Sequence, residues 1–224
     1  MAWAYLSWEQ QVFMLSDRDT CNRCYYLYQM DLSSGAMHQP SDFRFRDSWM
    51  GFDPSSQSLI VNPHQSVDSA FYIIDLCGAL REKITTGLPY ASDPAFSPDG
   101  KYIVFRGGMT KSKREQGFDE ALYILNRDGS GLRRITNYPV ADTSAAWYQY
   151  KARPPVWHPT EHFVSYQSYQ QGMYSIYAVD PETGNNWKLT DHQFSEGYHH
   201  WSPDGEWLTL EIFDPEETQF SIGL

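Results

Sequence analysis

The sequence lacks the features of several protein classes. It has 17 Lys and Arg against 28 Asp and Glu, a formal net charge of −11, so it has no excess of the basic residues with which proteins bind nucleic acids generally. No apolar run approaches the roughly 20 residues of a membrane-spanning helix. We therefore expect neither a nucleic-acid partner nor a membrane span.

The amino-terminal segment lacks the pattern of a secretory signal. MAWAYLSWEQQVFML has neither a basic first region nor an uninterrupted apolar core. The chain as it stands is therefore expected to be cytoplasmic, and a different compartment is expected only if it is a mature or trimmed form.

Cysteine is scarce, and the three residues are Cys21, Cys24 and Cys77. An odd number of cysteines argues against a fully paired disulfide framework. Cys21 and Cys24 have C-x-x-C spacing, but no second such pair completes a zinc site, and no βαβ pattern suggests thioredoxin-like chemistry. We expect two turn cysteines that are able to form a local disulfide.

Motifs of common enzyme classes are absent as well. The sequence contains no G-x-S-x-G nucleophile elbow, no H-E-x-x-H motif and neither of the glycine-rich nucleotide-binding loops. Gly129-Ser130-Gly131 is instead the turn of a repeat. No catalytic residue is predicted, and a non-enzymatic function is favoured.

The sequence does contain a clear internal repeat. An aromatic residue, a small or polar residue, proline, a turn and a β-rich run occur at 96–105 (FSPDGKYIVF) and again at 201–210 (WSPDGEWLTL). Looser copies occur at 52–61 and 157–166, and the prolines of successive copies are 44, 61 and 44 residues apart. Such a period is typical of propeller blades, whose repeats have roughly 40 to 45 residues.

Each repeat has the chemistry of short antiparallel strands joined by turns. Pro-Asp-Gly forms a turn, the run after it alternates bulky and polar residues, and a hairpin of Asp-x-x-Gly type follows. Stacking such units around an axis buries both faces of each sheet. The sequence predicts one all-β domain over 1–224, a β-propeller of four to five four-stranded antiparallel blades. The blades are expected at about 1–39, 40–90, 91–139, 144–194 and 195–224.

These repeats resemble those of the TolB-type β-propeller family, within the wider WD-like group. Asp93–Gly100, Ile103–Phe105 and Tyr123–Asn126 match the family unit almost throughout. Family members usually have more blades, often six, so a small closed ring, an open fragment of a larger propeller and a piece completed by a partner all remain open. The resemblance implies a periplasmic location if the chain is a mature form, and protein–protein interaction or scaffolding as its role.

Two insertions, a long hairpin loop at 107–119 and an extension at 141–153, carry the candidate interaction residues. The first is a basic patch on an acidic protein, suited to an acidic partner surface. The second is rich in residue types that are enriched at interface hot spots. We expect a protein partner to bind a propeller face through these loops. The residues are Lys111, Lys113, Arg114, Trp147, Tyr148, Tyr150 and Arg153.

A metal-dependent, carbohydrate-active lyase or hydrolase is the alternative. Five of the seven histidines lie between 158 and 200, and imidazoles from adjacent blades could converge on the axis around a divalent metal. The candidate ligands are His192, His199 and His200. His158, in contrast, occupies the Ser position of a Ser-Pro turn. No cofactor is predicted for the interaction module, and a divalent metal is predicted for the enzyme.

Overall fold

The computed structural model describes residues 2–18, 21–46, 50–64, 70–110, 119–137, 149, 151–214, 216 and 219–223. Within these residues, nineteen β-strands form five antiparallel sheets. The described part of the chain contains no helix, and so none that is long and apolar enough to cross a membrane.

The strands follow one another within each sheet, and the sheets follow one another along the chain. The first sheet contains β1 (Ala2–Trp8), β2 (Gln11–Ser16), β3 (Tyr26–Asp31) and β4 (Met37–His38). The second contains β5 (Gly51–Asp53), β6 (Ser58–Val61), β7 (Phe71–Asp75) and β8 (Leu80–Ile84). The third contains β9 (Tyr90–Phe96), β10 (Tyr102–Gly108), β11 (Ala121–Asn126) and β12 (Arg133–Arg134).

The fourth sheet contains β13 (Val156–Trp157), β14 (Val164–Gln170), β15 (Met173–Val179) and β16 (Asn186–Lys188). The fifth contains β17 (Ser195–Trp201), β18 (Leu208–Asp214) and β19 (Gln219–Gly223). The five sheets are the blades of a β-propeller, which confirms the predicted all-β propeller of antiparallel blades.

The Pro-Asp-Gly turns join the first two strands of a blade through one repeated set of hydrogen bonds. In blade 3 the Gly100 amide donates to the Ser97 carbonyl at 2.9 Å and the Tyr102 amide to Ser97 Oγ at 2.9 Å. In blade 5 the Gly205 amide donates to the Ser202 carbonyl at 2.9 Å. Gly100 and Gly205 have φ of +70° and +78°, a conformation that favours glycine.

Apolar side chains fill the spaces between the first four blades. Three clusters of buried residues join blade 1 to blade 2, blade 2 to blade 3 and blade 3 to blade 4. Between blades 2 and 3, for example, the rings of Phe71 and Phe105 meet edge to face at 5.1 Å between their centres. Both faces of the middle strands are therefore buried, which explains their nearly continuous apolar sequence.

The ends of the strands define two faces of the propeller. Since neighbouring strands are antiparallel, the turns at 54–57, 97–101, 158–163 and 202–207 lie at one end of the sheets. We call this end the turn face. We call the opposite end the loop face. The first strand of each blade begins there, and the second strands β2, β6, β10 and β14 end there.

The cysteines are placed as the sequence suggested. Cys21 and Cys24 form a disulfide within the connection between β2 and β3. Cys77 is free and exposed.

Candidate interaction face

Both predicted interaction segments attach to the loop face. β10 ends at Gly108 and β11 begins at Ala121, on either side of the first segment, and the second segment leads into β13. Because β13 is the first strand of its blade, it starts at the end of the sheets where β10 finishes. The topology therefore brings two insertions that are distant in sequence to one face. Among the predicted residues, those outside the described part of the chain are Lys111, Lys113, Arg114, Trp147, Tyr148 and Tyr150.

Arg153, the remaining predicted residue, lies beside two tyrosines, and a third tyrosine packs against one of them. Its guanidinium carbon is 5.9 Å from the ring centre of Tyr174 and 5.8 Å from that of Tyr198, within the range of about 6 Å for cation–π attraction. Tyr169 and Tyr174 are cross-strand partners in β14 and β15, and their rings meet edge to face at 5.0 Å. We call these four residues the Arg153–tyrosine cluster.

Backbone contacts hold the cluster in place. The Arg153 amide donates to the Gln167 carbonyl at 3.0 Å, and Ser168 Oγ donates to the Lys151 carbonyl at 2.6 Å. The 151–153 segment is thus fixed against β14 although it belongs to no strand. Tyr198 lies in the irregular part of β17, between Glu196 and His199, where the register shifts. It is 45% exposed, as expected where a bulge turns a side chain out of the sheet.

A buried ion cluster lies beneath the loop face in blade 3. Arg106 forms ion pairs with Asp93 and, at 2.8 Å, with Glu120. Burial by itself lowers the pKa of Arg106, but the neighbouring Asp93, Tyr90 and Glu120 outweigh it and hold the pKa well above the usual value. Buried charges of this kind are stable only when they are paired. The cluster therefore belongs to the scaffold that supports the face.

Long polar side chains connect successive blades at one repeated position. Eight residues after the repeat proline, each blade from the second onward has a residue of this type. In blades 2, 3 and 4 this side chain donates a hydrogen bond to a backbone carbonyl of the next blade, which lies near the start of the first strand or shortly before it. The pairs are Asn62 with Ala91 at 3.4 Å, Arg106 with Ala152 at 3.5 Å, and Gln167 with Glu196.

The predicted histidines have separate environments. His199 and His200 are neighbours in β17, where His199 is buried and His200 is exposed. His192 accepts a hydrogen bond at Nδ1 from the Phe194 amide at 3.1 Å. Within the described ranges, no group of three His, Cys, Asp or Glu side chains is arranged to hold a metal ion. His158, the residue at the Ser position of its turn, lies 3.1 Å by Nε2 from the Gly205 carbonyl of the next blade.

His199 and Ser165 form a buried hydrogen bond between blades 4 and 5. Ser165 Oγ is 2.8 Å from His199 Nε2, and Trp201 Nε1 donates to the same oxygen at 2.9 Å. Burial, and then the positive charge of His200, lower the pKa of His199 to about 3, so the imidazole is neutral at physiological pH. Ser165 is fully buried, so this pair serves packing between blades and offers no accessible nucleophile.

The sequence repeats did not point to the tyrosines of the Arg153–tyrosine cluster or to the ion cluster of blade 3. Tyr169 and Tyr174 face each other only because β14 and β15 pair in a given register. Tyr198 reaches Arg153 across a blade boundary. Arg106 could have been found from the sequence, because a long polar residue recurs eight positions after each repeat proline. That pattern does not identify the ion-pair partners of Arg106.

No known protein-family profile matches the chain. An uncharacterized protein of Agrobacterium fabrum is 23% identical over 180 residues, which cover 75% of this chain and 56% of that protein. An uncharacterized peptidase of Bacillus subtilis is 27% identical over 154 residues, which cover 56% of this chain and 22% of the peptidase. The chain therefore spans little more than half of the first relative and less than a quarter of the second.

Solved structures share the architecture. TolB from Acinetobacter baumannii superposes with a TM-score of 0.63 at 16% identity, over 95% of this chain and 48% of that chain. A puromycin-hydrolyzing peptidase of Mycobacterium tuberculosis gives 0.56 at 14% identity, over 98% and 37% of the two chains. An oligogalacturonate lyase in complex with manganese gives 0.52 at 14% identity, over 95% and 73%.

Structural similarity at such low sequence identity shows the fold alone, and this fold supports more than one activity. A peptidase and a lyase are among the similar structures, so the architecture does not select a function. The chain has the fold of the TolB-type β-propellers.

Proposed function

We propose that the protein is a non-enzymatic interaction module that binds a protein partner through its loop face, with the Arg153–tyrosine cluster in the contact. The observation that carries this proposal is the position of the Arg153 guanidinium within 6 Å of the rings of Tyr174 and Tyr198. Arginine and tyrosine dominate interface hot spots. An arginine already placed by aromatic rings loses less side-chain freedom on binding.

The placement of the two insertions supports the same face. The basic 107–119 segment and the aromatic 141–153 segment are both anchored at the ends of strands on the loop face. A partner that covers the Arg153–tyrosine cluster would lie within reach of both. An acidic surface on the partner would complement Lys111, Lys113 and Arg114.

The experiment is an affinity capture from the native source with cross-linking and mass spectrometry. Tyr198→Ala is compared with Trp207→Ala, which removes an aromatic side chain that is 58% exposed on the turn face. We expect a partner that is retained by the wild type and by Trp207→Ala, and bound about tenfold less by Tyr198→Ala. A partner that is lost with Trp207→Ala and retained with Tyr198→Ala would contradict the proposal.

A metal-dependent carbohydrate enzyme is the second proposal, and the likeness to the manganese-bound oligogalacturonate lyase supports it. His192, His199 and His200 are its candidate ligands, although His199 is held by Ser165. Elemental analysis of the purified protein decides between the two. Stoichiometric Mn, Zn or Ca that disappears in His192→Ala would favour the enzyme, and a metal-free protein would reject this site.

We also propose that the protein works in an oxidising compartment such as the periplasm. The Cys21–Cys24 disulfide supports this location, because disulfides persist in such compartments and are rare in the cytosol. Fractionation of native cells with an antibody against the chain tests it, and recovery in the cytosolic fraction alone would contradict it.

A further inference from the structure

We propose that Arg44, Arg46 and His64 form a binding site for an oxyanion, a carboxylate or phosphate group, at the loop face of blade 2. The site is separate from the Arg153–tyrosine cluster and does not depend on the proposed function. Its basis is the arrangement of a short strand-like segment, 43–46, against residues 62–64.

The backbone places these three side chains on one side. Phe45 bridges antiparallel to Pro63, the His64 amide donates to the Arg44 carbonyl at 2.8 Å, and the Arg46 amide donates to the Asn62 carbonyl at 3.1 Å. Side chains alternate between the two sides of an extended segment. Because Phe45 is buried in the apolar cluster between blades 1 and 2, Arg44 and Arg46 are directed to the other side, together with His64.

Arg44 has unused hydrogen-bonding capacity. Its side chain is half-buried, its Nε atom is buried, and that atom has no hydrogen-bond acceptor among the described residues. A buried polar group without a partner is costly and uncommon in native proteins. No described carboxylate forms an ion pair with Arg44, whereas in blade 3 Arg106 pairs with two carboxylates and Arg134 with one.

The three side chains are close enough to influence one another. Burial, and then the positive charges of Arg44 and Arg46, lower the pKa of His64. Arg46 also donates to the Ala91 carbonyl at 3.4 Å, which anchors its side chain between blades 2 and 3.

The chemistry of the set fits an oxyanion. An arginine guanidinium is a planar fork whose N–H groups match the oxygens of a carboxylate or phosphate. A second arginine adds charge, and a neutral imidazole adds one N–H donor. When an anion binds, it stabilises the imidazolium form, so the pKa of His64 rises.

The test is calorimetric titration of the whole chain with inorganic phosphate and, separately, with succinate, at pH 7 and constant ionic strength. We expect one saturable site with a dissociation constant of about 1 mM or below for at least one of the two anions. The anion that binds more tightly shows whether the site prefers a phosphate or a carboxylate group. Arg44→Gln should weaken binding at least about tenfold. Arg134→Gln, which removes the same charge from an arginine on the same face that is already paired with Asp119, should leave binding unchanged.

Two outcomes would overturn the proposal. One is the absence of saturable binding of either anion to the wild type, and the other is equal binding by Arg44→Gln. A thermal melt checks that Arg44→Gln is folded. If it is not, the imidazole signals of His64 in the wild type decide the question, since phosphate or succinate must raise the pKa of His64, and an unchanged pKa refutes the site.

Discussion

Blades 3 and 5 carry nearly the same repeat, yet their second strands have different surroundings. In blade 3, Ile103, Val104 and Phe105 are 0% exposed. In blade 5, every residue of the matching strand β18 is only half-buried. Blade 3 has an apolar cluster on each side, whereas none of the three clusters in the described part of the chain includes blade 5. The repeat therefore determines the strand, and the neighbouring blades determine its burial.

The boundary between blades 4 and 5 is polar where the earlier boundaries are apolar. Gln167 donates to the Glu196 carbonyl, the Ile176 amide donates to Glu196 Oε2 at 2.9 Å, and Ser165 bonds to His199 at 2.8 Å. These groups are buried. Buried hydrogen bonds are directional and sensitive to protonation, so we expect blade 5 to respond to pH more than blade 3.

The largest expected difference comes from truncating one repeat position in the two blades. Ile103→Ala should lower the free energy of unfolding by about 3 kcal/mol, because it leaves a cavity in a fully packed region. Leu208 occupies the matching position in blade 5. Leu208→Ala should lower the free energy of unfolding by only about 1 kcal/mol, because the side chain is half-buried. Urea unfolding of both variants checks this. Equal losses would show that blade 5 is covered as well as blade 3.

At the turn glycines we expect the opposite order, with the larger loss of stability in blade 5. A Cβ on Gly205 would overlap the imidazole of His158, whereas a Cβ on Gly100 would lie 3.3 Å from the Asp53 carboxylate. Both residues have positive φ. Gly205→Ala should therefore cost about 2–3 kcal/mol and Gly100→Ala about 1 kcal/mol, as measured by chemical denaturation. A larger cost at Gly100 would mean that the contact of His158 with the turn is loose.

Lowering the pH should destabilise the boundary between blades 4 and 5. The pKa of His199 is about 3 in the folded protein and about 6.5 in an unfolded chain, so between these values the unfolded state binds the extra proton. The contribution of the neutral His199 to the free energy of unfolding is therefore fully present well above pH 6.5, and it is lost as the pH falls below that value. From pH 7 to pH 5 the loss should be about 2 kcal/mol.

Urea unfolding at the two pH values measures this loss, with His199→Gln as the control. The variant has no imidazole to protonate at this position, so most of the difference between pH 7 and pH 5 should vanish. A difference of the same size in His199→Gln would assign the effect to other groups.

The smallest effect is expected at the surface of the turns. Lys101 pairs with Asp99 at 2.9 Å, and both side chains are largely exposed. Glu206 occupies the position of Lys101 in blade 5. Lys101→Ala and Glu206→Ala should each change the unfolding free energy by less than about 0.5 kcal/mol. A larger effect of either would show that the turn face has a packing role.

Local features of the fold could be predicted because they depend on residues close in sequence. Pro98, Asp99 and Gly100 favour a turn, and the run from Tyr102 to Phe105 consists of the β-branched and aromatic residues that favour a strand. The antiparallel sheets follow from such segments, and the propeller follows from their period.

The candidate site was predicted only in part. Arg153 was selected for its residue type, and the two tyrosines that it contacts come from β15 and β17. Contacts of this kind depend on how one blade is rotated against the next, which no local pattern contains. The same holds for Arg44 and His64, which are 20 positions apart in the sequence and become partners through one backbone pairing.

The sequence by itself determined the all-β class, the antiparallel blades and the position of their turns, because turn and strand preferences act over a few residues. Tertiary structure alone decided that two distant insertions attach to one face, that Arg153 lies against tyrosines, and that His199 is buried and neutral while His200 is exposed. The physical reason is that burial and side-chain contacts depend on neighbouring blades, and equal repeats acquire different environments when their neighbours differ.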